Sequence, residues 1–125
     1  MFEYIYVWYV GEAKTAFCSY DVATSVGSEV QLNFTTTQSL SIHLEHRSVD
    51  RSYPLHVFRD GKIVNDYYVL SGRFDVKISD SVWTLVIKDV QMADAGTFIF
   101  SEDNGLGKQD VRELIVLGEF NDKQL

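Results

Sequence analysis

The chain has 125 residues, 46% apolar and 14% aromatic, enough for one hydrophobic core and too few for two domains. Net charge is −7, with 11 Lys and Arg against 18 Asp and Glu; that argues against a phosphate-neutralising nucleic-acid surface and against binding to an anionic membrane. A single cysteine, Cys18, excludes an intrachain disulfide and a cysteine-rich zinc site, and no run reaches the roughly eighteen apolar residues that a membrane-spanning helix needs.

In chain order, residues 1–18 come first. Phe2, Tyr4, Tyr6 and Trp8 alternate with other residues, the pattern of an extra edge strand that something must cover. A leader is the other reading of this segment: FEYIYVWYV has the length of a signal core, but a basic n-region is missing and Glu3 interrupts it. Ser19 to Ser25 form a modest strand and Val26, Gly27 and Ser28 a turn. Val30, Leu32 and Phe34 then alternate with Gln31 and Asn33 as a half-buried strand.

Leu40, Ile42 and Leu44 alternate with Ser41, His43 and Glu45 in a third strand, and polar residues from Arg47 to Tyr53 make a loop. Pro54 to Phe58 is the fourth, with Pro54 at its start, where no ladder N–H is required. Asp60-Gly61 signals a hairpin turn, because both residues accept positive φ. Lys62 to Leu70, with Tyr67 and Tyr68, reads as another strand, and Arg73 to Val76 as the next.

Trp83, Leu85 and Ile87 then face one way and Thr84, Val86 and Lys88 the other. Asp94, Ala95 and Gly96 suit a tight corner, after which Phe98 and Phe100 return inward with Thr97 and Ile99 outside. Asp103, Asn104 and Gly105 mark a last hairpin turn. Val111 to Val116 is the final strand, with Leu114 and Val116 inward, and residues 118–125 read as a polar tail or linker.

Leu85, Ile87, Val90, Asp94 and Gly96 keep the spacing L-x-I-x-x-V-x-x-x-D-x-G-x-Y-x-C, with Phe98 and Phe100 in place of Tyr and Cys. This run resembles the E-to-F corner of an immunoglobulin domain. The resemblance implies an all-β, immunoglobulin-like two-sheet Greek-key sandwich over residues 19–117. Segments in the C′ and C″ positions, and Arg73 placed to bridge Asp94 beneath the corner, are similar to the variable-type (V-set) branch.

The same resemblance puts the two disulfide positions at Phe34 and Phe100, so the bridge looks replaced as a pair. Losing such a bridge costs about 2–5 kcal/mol, and two buried Phe side chains at about 1.5–3 kcal/mol each offset it. The family's core Trp falls near Leu44, and Trp83 is expected to fill that space. Membrane-distal domains of the signalling lymphocyte activation molecule family and of the carcinoembryonic-antigen-related adhesion molecules also lack the bridge, and this chain looks like that kind of domain.

Chemistry finds little footing. His43 and His46 form an H-x-x-H, but three residues apart on a strand they point to opposite faces, so His43 is expected in solvent and His46 at a loop edge, not as metal ligands. Gly107-Lys108 lacks the rest of a phosphate loop, no G-x-S-x-G elbow occurs, Cys18 has no flanking base, and Asp75, Asp80, Asp89 and Asp94 do not follow a calcium-loop spacing. No catalysis, cofactor or metal is expected. Asn33-Phe34-Thr35 is an N-glycosylation acceptor with Asn33 outward.

Parity assigns the outer surface of the GFCC′C″ sheet to His43 and Glu45, His56 and Phe58, Thr97, Ile99 and Ser101, and Val111, Glu113 and Ile115. Apolar Phe58, Ile99, Val111 and Ile115 ringed by polar groups have the make-up of an interaction patch. In V-set receptors this face binds the partner, often another such domain. The resemblance therefore implies a cell-surface or secreted recognition domain in adhesion or immune signalling, whose partner is another protein or its own copy; a soluble decoy or viral mimic shares every one of these features. The alternative is an intracellular immunoglobulin module of the muscle-scaffold kind, similar at Ile87 to Val90 and Asp94 to Gly96, for which a reducing cytosol explains the missing cysteines.

Overall fold

The computed structural model describes residues 20–37, 41–103 and 107–118. The expected N-terminal segment at 1–18 and, apart from Gly118, the expected tail at 118–125 lie outside these, as does most of the turn at Asn104 and Gly105. Among the described residues there are nine strands, β1 (Tyr20–Ser25), β2 (Val30–Thr35), β3 (Ile42–Ser48), β4 (Leu55–Arg59), β5 (Lys62–Ile63), β6 (Phe74–Ser79), β7 (Val82–Ile87), β8 (Gly96–Glu102) and β9 (Gln109–Leu117), and one short α-helix, α1 (Asp66–Ser71), between β5 and β6. They form a six-stranded sheet in the order β1-β9-β8-β3-β4-β5 and a three-stranded sheet in the order β2-β7-β6. This is the immunoglobulin-like Greek-key sandwich.

Strand β1 pairs in parallel with β9, from Tyr20↔Arg112 to Ser25↔Leu117, while β2 belongs to the other sheet. The chain changes sheet at Gly27, whose φ of 89° only glycine adopts freely. The turn is tied down where Gly27 N donates to Val90 O at 2.8 Å and Val90 N to Ser28 O at 2.9 Å.

The middle of the sandwich is aromatic. Phe34 and Phe100 stack at 4.8 Å with planes 10° apart, and Trp83 packs edge-on to Phe34 at 5.8 Å and against Phe100 at 5.4 Å. All three are essentially inaccessible to solvent. Phe34 and Phe100 thus meet as a physical stack, and Trp83 and the equally buried Leu44 belong to the same core cluster. Arg112, from β9, lays its guanidinium over Phe34 at 4.7 Å and donates from Nη2 to Asn33 O at 2.8 Å, bracing the outer edge of β2.

Two elements depart from expectation. Strand β4 carries a bulge: Glu45 faces His56 but Leu44 faces Phe58, leaving Val57 as the extra residue. Parity breaks there, so Val57 and Phe58 both turn inward and are buried. The segment expected as a C″ strand pairs for only two residues, Lys62 and Ile63. Asn65 then takes φ 69°, with its Nδ2 donating to His56 O, and the chain coils into α1. Left-handed Gly72 (φ 68°) closes the helix. The helix buries Tyr68, while Tyr67, its ring 4.9 Å from that of Tyr68, donates to Asp94 Oδ1 at 3.3 Å.

The E-to-F corner is as expected. A single 3-10 turn, Met92–Asp94, delivers Asp94 to Arg73, with Nη1 to Oδ2 at 2.6 Å and Nη2 to Oδ1 at 3.1 Å, a bidentate pair. Asp94 Oδ2 also accepts from Gln91 N at 2.8 Å. Gly96 follows at φ 132°, and a Cβ placed there would stand 2.1 Å from Arg47 O. No other residue fits.

Candidate functional site

The outer face of the six-stranded sheet collects the residues picked out by alternation. Strand β3 pairs with β8 at His43↔Ser101 and Glu45↔Ile99. Strand β8 pairs with β9 at Ile99↔Val111 and Thr97↔Glu113. His43, Glu45, His56, Ile99, Ser101, Val111 and Glu113 are all half-buried there, and Ile115 is exposed. Ile99 sits in the middle, between Glu45 and Val111.

Phe58 is the correction. The bulge turns it away from this face, and its ring lies 5.1 Å from Trp83 in the core at 6% exposure. Its place on the outer surface is left to His56. That ring is 6.4 Å from His43, and its Nδ1 is enclosed without a hydrogen-bond partner.

The polar groups of the face are loosely held. Glu113 accepts from Thr97 Oγ1 at 2.8 Å, and Arg47 approaches Glu45 at 3.7 Å. An ion pair such as Arg47–Glu45, with the Arg side chain exposed, contributes little stability, so it remains free to exchange for a partner's groups. Arg47 lies within β3 and not in the loop expected from it onward, and β1 adds an edge that alternation does not show, with Asp21 and Ala23 outside Glu113 and Ile115.

His46 is the second correction. It is not at a loop edge but inside β3 and fully buried, stacked on Phe98 at 4.1 Å and 4°. Its Nε2 lies 3.2 Å from Ala95 O, which can only accept, so the proton sits on Nε2. Nδ1 is then left to accept from Tyr68 OH at 2.8 Å, and that hydroxyl in turn accepts from Arg51 Nη2 at 2.9 Å. Burial above all, with the nearby Arg51 charge adding to it, lowers the His46 pKa to about 4 despite the bond to Ala95. Burial also raises Tyr68 to about 12, so the pair stays neutral. Parity offered the signal: continued past Glu45, the alternation of β3 puts His46 on the inward face with Leu44.

At the other end of β8, Glu102 is buried. Burial alone would raise its pKa, but hydroxyl donation from Thr36 and Thr37, the latter at 2.7 Å, and the Thr37 N–H at 2.9 Å together hold it below the usual carboxylate range. Among the described residues no group of three or more His, Cys, Asp or Glu comes together to hold a metal, and no helix is long and apolar enough to cross a membrane. Asn33 is exposed on the three-stranded sheet, its Oδ1 accepting from Thr84 Oγ1 at 2.7 Å.

No family model matches the chain, and none of the curated proteins does. Among solved structures 1687 chains match. One is the ZIG-8 IG1 homodimer, similar with a TM-score of 0.65 at 15% identity over 81% of this chain and 81% of that one. That likeness is one of fold.

Proposed function

We propose that this chain is a non-enzymatic recognition domain that binds a protein partner, another immunoglobulin-like domain or its own copy, through the outer face of the six-stranded sheet. The observation that carries the reading is the half-buried apolar centre, Ile99 and Val111, bordered by Glu45, His43, His56 and Glu113, a dry middle within a polar rim. That a solved neighbour is a homodimer supports self-pairing as one form of it. The setting we infer is the cell surface or secretion, in adhesion or immune signalling, with Asn33 as a glycan acceptor on the opposite sheet, clear of the binding face.

The test is to screen the chain, as a labelled multimer, against a panel of immunoglobulin-type ectodomains and its own immobilised copy, with an Ile99→Asp variant in parallel. Binding that Ile99→Asp weakens at least about tenfold is expected, since one charge placed in a desolvated centre costs more than 1.4 kcal/mol. Binding that Ile99→Asp leaves untouched would move the site elsewhere. Intact mass of the protein secreted from animal cells, with and without glycosidase, reads the compartment. A glycan at Asn33 on folded protein is expected, and retention relieved only by removing Asn33 would favour the intracellular scaffold, for which the bridge-free aromatic core is already suited.

A further inference from the structure

The two ends of the sandwich differ in a way that the sheet face does not explain. Among the described residues eleven large apolar side chains are exposed, and eight of them lie at the end that holds the E-to-F corner. Val49 (65% exposed) and Tyr53 (58%) come from the β3–β4 loop, Tyr67, Val69 and Leu70 (79%) from α1, and Met92 from the corner; Val26 and Leu117 belong to the same end. Within this apolar rim sits Arg51. Its Nη2 donates to Tyr68 OH, its Nη1 is shut off from water without a hydrogen-bond partner, and its charge meets no carboxylate within ion-pair distance among the described residues, Asp50 included. Tyr53 covers the guanidinium at 5.8 Å. An unneutralised, partly desolvated cation is costly to leave so, and a carboxylate arriving with its own apolar flanks satisfies it.

Such a group stands at the opposite end of the same chain. The turn joining β6 to β7 carries Asp80 at its tip (φ 52°), exposed and without a side-chain partner. Ile78 (63% exposed) and Val82 (40%) flank it, one on each face of the sheet. They are two of the three exposed large apolar residues not already at the Arg51 end, the third being Ile115. From this complementarity of charge and apolar surface we infer that the occupant of the Arg51 end is a second copy of this chain, seated by its Asp80 turn. The contact displaces the Tyr53 ring and places Asp80 on the Arg51 guanidinium, with Ile78 and Val82 against the rim. Because it joins unlike ends, it is heterologous, and copies add head to tail in an open series.

The experiment is sedimentation equilibrium of the full chain from micromolar to millimolar concentration, with Ile99→Asp present throughout to silence the sheet face. In that background the average mass is expected to climb with concentration past that of a dimer. Adding Asp80→Asn, which keeps a residue tolerant of positive φ at the turn, or Leu70→Asp, at a side chain with no core role, should each lower the association constant about tenfold or more. The two variants have opposite ends intact, so their equimolar mixture should associate again and stop at a dimer. A monomer at every concentration, a mass that levels at a dimer before either end is altered, or association indifferent to Asp80→Asn would overturn the inference. Association abolished by Ile99→Asp alone would overturn it too, while supporting the sheet-face reading.

Discussion

The middle of the sandwich and its Arg51 end make opposite use of aromatic residues. In the middle, Phe34, Phe100, Trp83 and Phe58 meet ring against ring, and the indole Nε1 of Trp83 has no partner. At the end, Tyr68, Tyr67 and His46 use their polar atoms, linking Arg51, Ala95 and Asp94 into chains of hydrogen bonds. The first region is held by area and shape, which yield gradually as atoms are removed. The second is held by matched donors and acceptors, and a single misplaced group leaves several unsatisfied.

Four measurements sharpen or break that contrast. The largest effect is expected at the polar end, from Gly96→Ala. The new methyl meets Arg47 O on the neighbouring strand at 2.1 Å and φ 132° is closed to it, so no cooperative thermal transition is expected, and a folded variant would show that the corner can move. Next is Phe100→Ala, which should lower the urea-unfolding free energy by about 3–5 kcal/mol. Phe34→Ala should be strongly non-additive with it if the stack is a unit.

Third is acid sensitivity. His46 titrates near 4 in the folded chain and near 6.5 unfolded, so between those values the unfolded state holds the extra proton. Stability is therefore complete above about pH 6.5 and falls toward pH 4, by roughly 3 kcal/mol. His46→Phe should flatten that window, even if the variant is less stable at neutral pH; an unchanged slope would mean His46 does not stay neutral. Glu102, held low, adds a further loss as pH drops through the range below its ordinary value. The smallest effect belongs to neither region: Gly61→Ala, at φ 83° in the β4–β5 hairpin with open space around it, should cost about 1 kcal/mol.

The same contrast divides what could be read from the chain. The aromatic middle was legible in two steps: alternation on β2, β7 and β8 leaves one choice of inward face, and the resemblance paired Phe34 with Phe100 across it. The Arg73–Asp94 pair was legible through its resemblance to the salt bridge of V-set domains. Phe58 was misplaced because one bulged residue reverses parity, and nothing in Leu55 to Arg59 announces a bulge. Helix α1 was read as a strand because Tyr67 and Tyr68 favour extended structure locally; the decisive facts, Asn65 in the left-handed region and a buried acceptor waiting for Tyr68, are tertiary. His46, Arg51 and Arg112 were missed alike. Each is a polar side chain at an inward or loop position, and only the fold supplies the partners that let it remain there. The sheet face was legible in every member but Phe58, while the gathering of exposed apolar residues at one end needs the topology.

The Phe34–Phe100 stack also sets how the chain responds to a pull. Where two strands are joined by a covalent bridge, the residues between them cannot be drawn out under load, and extension stops early. Here nothing covalent spans the roughly 66 residues from Phe34 to Phe100, which at about 3.5 Å each amount to a further 230 Å or so of slack. Once its strands part, no covalent bond stops extension short of the whole length, and no thiol chemistry stands between the parted strands and their pairing again. Tension therefore finds in it an extensible link, whose limit is set by ring packing and hydrogen bonds alone.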